Sequence, residues 1–261
     1  MRNYSDKKEL EALCQTISQT LESLLTIERI GWGIGIIELD LYKNLDLEHL
    51  LRYLMGASEI ALKEYNTSHI NYRFFDQSLE ALIDKEEKIT AGLIDITVGK
   101  NRETFFLQFQ PIVDLKLNKI TGFEALARFD SPKIGKVPPL EFIPIAEKTK
   151  LIIPLGKRII ELSLLFLLKL KRSGYNSITV SINISVIQLL HKNFVDSLLE
   201  MIESMDIQPS DVLLEITESI FALAIQEVRK ILVNLQNSGL KIALDDFGTG
   251  YSSLARGREL N

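Results

Sequence analysis

The alternation of short apolar strands with helices after residue 178 is the feature that most constrains the fold of this chain. Strands are predicted over Ile178 to Ile184, Val212 to Ile216 and Leu240 to Leu244, and helices between them over Asn193 to Met205 and Ser219 to Gln236. Strands with few charges need helices on their faces, and parallel neighbours need crossover connections of this length. The pattern predicts an α/β fold with a parallel sheet.

A different connection precedes this alternation. The apolar runs Phe105 to Val113 and Ile120 to Phe129 are separated by six residues, which is too few for a crossover helix. They are therefore predicted to pair antiparallel as a hairpin. Two helices follow, over Leu140 to Lys148 and Leu155 to Arg172, and Gly174 is placed to end the second of them.

The first ninety residues predict a smaller α-β-α-β-α unit. Its boundary is expected near the charged run Asp84 to Lys88, which reads as a solvated helix. The predicted elements are a helix over 7–28, a strand over 31–39, a helix over 47–65, a strand over 70–75 and a helix over 77–89.

Composition excludes several classes of function. The net charge of −5 argues against nonspecific binding to polymeric nucleic acid. The single cysteine, Cys14, favours a reducing compartment, so a cytoplasmic chain is expected. Apolar runs fall short of the ~18 residues of a membrane span. Three scattered histidines argue against a zinc site, so any metal is expected to bind oxygen ligands.

Polar side chains follow the predicted parallel strands where those strands end. Asn183, Glu215 and the pair Asp245-Asp246 occupy such positions on three successive strands, and Glu124 lies within an apolar strand. In parallel β/α folds, ligands bind at the carboxyl ends of the strands. Oxygen ligands gathered there suit Mg²⁺, Mn²⁺ or Ca²⁺, and an adjacent acid pair could serve two ions, an arrangement used for phosphodiester cleavage.

Each of these residues also has a purely structural interpretation. Asn183 could satisfy a strand end, Asp245-Asp246 could cap a helix, and Arg128 could pair with Asp130. Glu215 and Glu218, three residues apart, could form a capping arrangement.

The glycines of Gly31-Trp32-Gly33-Ile34-Gly35 imitate a dinucleotide-binding fingerprint. Ile36 stands where that fingerprint needs its third glycine, so glycines in a tightly packed strand are the favoured interpretation.

Six motifs, in order, give the chain from about Phe105 to Asn261 a resemblance to a known family. It resembles an EAL domain, the cyclic di-GMP-specific phosphodiesterase module of bacteria. The matching segments are Gln110 to Val113, Glu124-Ala125-Leu126-Ala127-Arg128, Phe142 to Glu147, Asn183-Ile184-Ser185, Glu215 to Ser219 and Asp245 to Ser253.

The resemblance implies a fold, a reaction and a site. The fold is a modified TIM barrel whose first strand is antiparallel, and the reaction is hydrolysis of cyclic di-GMP to linear pGpG at a two-metal Mg²⁺ or Mn²⁺ site. A homodimer formed through the EAL domain is also implied. The implied metal ligands are Glu124, Asn183, Glu215, Asp245 and Asp246, of which Glu124, Asp245 and Asp246 are also catalytic; the substrate-binding residues are Gln110, Leu126 and Arg128; and Glu218 braces the loop after Asp245.

The ends of the chain lead to further expectations. Residues 1–84 resemble the back part of a GGDEF (diguanylate cyclase) domain without its signature, residues 85–104 are expected to form a linker helix, and residues 105–261 the first part of an EAL domain. Five predicted strands fall short of the eight of a barrel, and the family's later lysine, glutamate and glutamine are not in this sequence. An incomplete barrel, truncation at both ends and an inactive isolated chain are expected.

Three functions remain open on the sequence. The first is a phosphodiesterase in the parent protein. The second is an EAL domain that binds cyclic di-GMP as a receptor or regulator without cleaving it. The third is an unrelated Mg²⁺-dependent barrel enzyme, since barrels host many chemistries.

Overall fold

The structure is a computed structural model of the 261-residue chain. It describes residues 6–24, 31–42, 44–68, 71–217 and 225–245, and at residues 22–24, 65–68, 217, 225 and 245 it describes the backbone alone. The chain divides into two compact units, Met1–Glu87 and Lys88–Asn261. Among the described helices, none combines the length and the apolar character needed to cross a membrane.

The first unit contains a parallel pair of short strands joined by a helix. The strand expected over residues 31–39 is only three residues long, and a 3-10 helix takes its place at Leu39–Leu41. The elements are α1 (Lys7–Leu24), β1 (Ile34–Ile36), α2 (Leu47–Ser68), β2 (Tyr72–Phe74) and the start of α3 (Gln77–Thr97).

Two glycines next to and within β1 allow α2 to pack directly against the strand backbone. A Cβ atom on Gly33 would lie 2.0 Å from the carbonyl oxygen of Ser58, and one on Gly35 would lie 2.2 Å from that of Leu54. Any side chain at either position would collide with helix backbone, so both glycines are needed for packing. The interpretation of these glycines as packing residues is confirmed.

The second unit is built on a six-stranded sheet. Five strands follow the order β3-β4-β6-β7-β8, and β5 pairs with the last three residues of β4. Its strands are β3 (Phe105–Asp114), β4 (Lys119–Ser131), β5 (Gly135–Val137), β6 (Thr179–Ile184), β7 (Val212–Thr217) and β8 (Lys241–Asp245). Its helices, after the end of α3, are α4 (Pro139–Lys148), α5 (Ile152–Arg172), α6 (Val186–Leu189), α7 (Phe194–Ser204) and α8 (Ile225–Asn237).

The predicted strand directions are confirmed. β3 and β4 pair antiparallel, with an irregularity in register between Ile112 and Val113, and β4, β6, β7 and β8 pair parallel in turn. β5 lies between the predicted strand ending at Phe129 and the predicted helix starting at Leu140, where no strand was predicted. Gly135, at φ +74°, returns the chain so that Val137 pairs with Phe129. The linker expected over residues 85–104 contains the second half of α3, then a 3-10 helix at Arg102–Thr104.

One face of the sheet carries the hydrophobic core of this unit. Side chains alternate between the two faces of a strand, so every second residue of β4, β6 and β7 points to the same side. On the core side, these are almost fully buried, and α5 packs over β6. The buried side chains include Ala125, Phe129, Val180, Ile182, Ile184, Val212, Leu214 and Ile216. The opposite face therefore receives the polar residues of the same strands.

Candidate functional site

Glu124 and Asn183 meet on the face of the sheet opposite the core. Glu124, half-buried on β4, stands in register with Ser181 of β6, and Asn183 follows two residues later on the same side. The Nδ2 atom of Asn183 donates a hydrogen bond of 2.9 Å to Oε1 of Glu124. A carboxylate within an apolar strand needs a polar partner, and the amide supplies one.

Glu215 extends this pair onto the next strand. It is the register partner of Asn183 in the β6–β7 ladder and is half-buried. Directly paired residues on neighbouring strands lie on the same face, with Cβ atoms about 5 Å apart. Three adjacent strands thus bring two carboxylates and one amide to the same face.

The remaining predicted metal ligands are described only in part. The backbone of Asp245 pairs with that of Thr217, two residues beyond the pairing of Ala243 with Glu215. The Asp245 side chain, Asp246 and Glu218 lie outside the described residues.

The predicted substrate-binding residues fall on the β3–β4 hairpin. Gln110 stands opposite Glu124 in register, and Leu126 and Arg128 follow Glu124 at intervals of two residues. All four positions therefore share one face. The structure brings Gln110, Leu126 and Arg128 to the face that carries Glu124, Asn183 and Glu215.

Arg128 is held by polar atoms other than those of Asp130. Its Nε atom donates a 2.8 Å hydrogen bond to Oε1 of Gln108, and its guanidinium also donates to the Ala127 carbonyl oxygen at 2.9 Å. These bonds use two of the five N–H donors of a guanidinium. Gln108 was not singled out by the sequence, although its position two residues before Gln110 puts it on the same face.

The donor set suits an oxygen-preferring cation. Within the described part of the chain, groups of three or more His, Cys, Asp or Glu side chains that could hold a metal are not found. The described donors are instead the carboxylates of Glu124 and Glu215 and the amide of Asn183, each of which has an oxygen atom that can bind a metal ion. Next to them, the fully buried Ser181 hydroxyl has no hydrogen-bond partner in the described residues. Carboxylate and amide oxygens of this kind suit a hard divalent cation.

A second polar group lies just beyond Asn183, formed by residues of two matching segments to which the sequence analysis gave no role. Ser185 caps α6, and its hydroxyl lies 2.5 Å from Oε1 of Glu147 on α4. Gln188 completes a capping box by accepting a 3.1 Å hydrogen bond from the Ser185 backbone N–H. The spacing of Ser185 and Gln188 is a recognisable capping-box signal, whereas the contact with Glu147 has no local sequence signal.

Two curated relatives are similar to this chain over almost all of its length. The chain is 30% identical over 244 residues to the bifunctional diguanylate cyclase/cyclic di-GMP phosphodiesterase MucR of Pseudomonas aeruginosa, covering 94% of this chain and 35% of MucR. It is 35% identical over 259 residues to the cyclic di-GMP phosphodiesterase PA2567 of the same organism, covering 97% of this chain and 43% of that protein. The chain thus spans less than half the length of either relative.

A solved structure and a family model extend the comparison. The structure described as "PaMucR Phosphodiesterase, c-di-GMP complex" superposes with a TM-score of 0.61 at 31% identity, covering 66% of this chain and 69% of that one. The EAL domain model matches residues 95–261, which include the polar face formed by Gln110, Glu124, Arg128, Asn183 and Glu215. The chain belongs to the EAL domain family.

Proposed function

We propose that this chain carries the metal and substrate site of a phosphodiesterase that hydrolyses cyclic di-GMP to linear pGpG. The observation that supports this most directly is the placement of Glu124, Asn183 and Glu215 on one face of three adjacent strands. Relatives named as cyclic di-GMP phosphodiesterases and a structural neighbour described as a cyclic di-GMP complex give the substrate.

In this proposal, Glu124, Asn183 and Glu215 hold divalent ions together with Asp245 and Asp246. Two such ions, when bound, supply an activated water and neutralise charge on the phosphate. The Asn183 side-chain amide can serve both purposes, because its nitrogen donates a hydrogen bond to Glu124 and its oxygen can bind the metal ion. The mutual repulsion of the carboxylates favours a bound cation.

The other residues of this face bind and orient the substrate. Arg128 is proposed to hold a phosphate oxygen, since a guanidinium presents planar paired donors, and its bond to Gln108 restricts its orientation. Gln110 and Leu126 are proposed to contact a guanine base, through an amide and an apolar surface respectively. Glu218 is proposed to brace the loop that follows Asp245.

The proposal is tested by turnover of cyclic di-GMP. The intact gene product is incubated with the dinucleotide and Mn²⁺, and pGpG is separated by chromatography. We expect metal-dependent formation of pGpG that is lost in Glu124→Gln. The matched control is Glu161→Gln, because Glu161 pairs with Arg158 on α5 away from the polar face, at 2.9 Å.

Each outcome of this assay selects one function. Binding of cyclic di-GMP in the presence of Ca²⁺, measured by calorimetry, together with no turnover in Mn²⁺ would overturn the phosphodiesterase in favour of a receptor. Failure to bind the dinucleotide with any of these ions would instead point to another metal-dependent barrel enzyme.

The wider organisation is also proposed on the resemblance. We infer a homodimer formed through the EAL domain, a cytoplasmic location, a modified TIM-barrel fold whose first strand is antiparallel and a GGDEF-derived unit over residues 1–84. Light scattering of the purified protein, with and without cyclic di-GMP, tests the dimer: a mass of one chain at micromolar concentration would contradict it.

A further inference from the structure

The end of β6 is fixed by a polar network that lies outside the proposed metal ligands. Asn183, Ile184 and Ser185 are consecutive, so the hydroxyl of Ser185 and the amide of Asn183 belong to the same strand end. Ser185 has a single hydroxyl proton and two acceptor lone pairs. The hydroxyl accepts from the backbone N–H of Ile187 at 3.3 Å, which leaves its proton to be donated to Glu147.

The Ser185–Glu147 hydrogen bond links two elements that are distant in the sequence. The Ser185 hydroxyl lies 2.5 Å from Oε1 of Glu147. Both residues are half-buried, which reduces competition from water. They are 38 residues apart, so the bond joins α4 to the end of β6.

Packing against α5 fixes the other side of the same turn. Gln188, only 4% exposed, accepts from the Ser185 backbone N–H, and its side chain lies against Gly156. A Cβ atom at Gly156 would be 1.5 Å from Nε2 of Gln188, so the glycine is required for this contact. The turn after Asn183 is thereby held by α4 through Glu147 and by α5 through Gln188.

We propose that Glu147 is a positioning residue: by accepting the Ser185 hydrogen bond, its carboxylate fixes the end of β6 and so directs the Asn183 amide toward Glu124. The effect that Glu147 would have on metal binding rests on the proposed function. The positional effect itself does not, because the Asn183–Glu124 bond is present without any ligand.

The first test is spectroscopic and needs neither metal nor substrate. In Glu147→Ala, we expect the side-chain NH₂ resonances of Asn183 to shift or broaden in ¹H–¹⁵N correlation spectra of the metal-free chain. Glu147→Gln keeps an acceptor oxygen for Ser185 and should restore the wild-type signal. An Asn183 signal identical in wild type and Glu147→Ala, in a folded protein, would overturn the proposal.

The second test uses metal affinity and turnover of the intact gene product. Loss of a residue that orients a ligand typically weakens metal binding by about 10–100-fold. We expect Glu147→Ala to weaken Mn²⁺ binding within this range, Ser185→Ala to do the same, and the double variant to be no worse than either alone. Glu161→Ala, which removes a half-exposed glutamate paired with Arg158, should leave Mn²⁺ binding unchanged.

These readouts separate the proposal from its alternatives. A lowered melting temperature with unchanged Mn²⁺ affinity and an unchanged Asn183 signal would show that Glu147 is only structural. If wild type fails to hydrolyse cyclic di-GMP while Glu147→Ala still perturbs Asn183, the proposed function fails and the positioning role stands. If Glu147→Ala does not fold, Ser185→Ala replaces it as the variant that lacks the hydrogen bond, and Glu147→Gln stays the control that keeps it.

Discussion

In the unit formed by residues 1–87, polar side chains cap the first turns of helices and form an ion pair between helices. In residues 88–261, polar side chains also line one face of a sheet. Asp46 and Asp76 each accept a backbone N–H three residues later, at 2.9 Å, and Arg52 pairs with Glu87 at 2.6 Å. The charged groups of the proposed site have a different setting, because they stand on strands whose other face is buried.

The different sizes of the two hydrophobic cores account for these different settings of the polar side chains. The strands of the first unit are three residues long and half-buried, and its core is centred on Tyr53 and Phe75, whose rings stack with centroids 4.3 Å apart. The core of the second unit joins the sheet to helices α3, α4, α5, α7 and α8. Carboxylates that repel one another can be held close together only on rigid, well-supported elements, and the sheet of the second unit supplies that support.

The largest expected effect is on turnover. Glu124→Gln should lower cyclic di-GMP hydrolysis by the intact gene product roughly a thousandfold, equivalent to about 4 kcal/mol of transition-state stabilisation. Because Glu124 is half-buried and the glutamine can still accept from Asn183, the free energy of unfolding should change by less than about 1 kcal/mol. Glu87→Gln, in the first unit, should leave turnover unchanged. Comparable losses in both variants would remove the functional contrast between the units.

Core truncations should separate the two units energetically. Leu79→Ala and Leu164→Ala remove side chains that are 1% and 0% exposed, and each should cost about 2–5 kcal/mol. In scanning calorimetry, we expect each variant to lower a different transition, since the two leucines belong to different cores. A single transition lowered equally by both would show that the units unfold together.

A glycine pair tests the close packing in the first unit. Gly33→Ala would place a methyl group against the Ser58 carbonyl oxygen and should cost about 2 kcal/mol of stability, measured by urea unfolding. Gly135→Ala, in the second unit, meets nothing within 4 Å and should cost about 1 kcal/mol, from its positive φ alone. A reversed order would contradict the packing of α2 on β1.

The smallest effect concerns the start of α3. Hydrogen bonds from the Ser78 hydroxyl and from the Leu79 backbone N–H lower the pKa of Asp76 below 3.8. A carboxyl whose pKa is lowered on folding stabilises the protein above its unfolded pKa and loses that effect as pH falls through its folded pKa. Asp76→Ala should therefore cost about 1 kcal/mol at pH 7 and progressively less below pH 4. Asp76→Asn keeps the cap and serves as the control; an Asp76→Ala cost independent of pH would contradict the pKa argument.

Local patterns were sufficient for most of the second unit. The six-residue connection predicted the antiparallel β3–β4 pair, and apolar runs separated by helices predicted the parallel order of β6, β7 and β8. The pattern failed where a segment had no periodicity of its own. β5 became a strand because Gly135 turned it back onto β4, and the first-unit strand was shortened at Ile36.

In the candidate site too, some features followed from the sequence and others only from the tertiary structure. Its residue types and their order along the chain were readable in the sequence. The contacts of Asn183 with Glu124, of Gln108 with Arg128 and of Glu147 with Ser185 could be found only from the tertiary structure, because they join residues 20 to 59 positions apart.

The sequence by itself determined the alternation of elements and the oxygen chemistry of the polar residues, because strand period, turn length and side-chain type are local properties. The tertiary structure alone decided which of those oxygen atoms meet. Pairing register determines this, since a shift of one residue would send Asn183 to the buried face and separate it from Glu124.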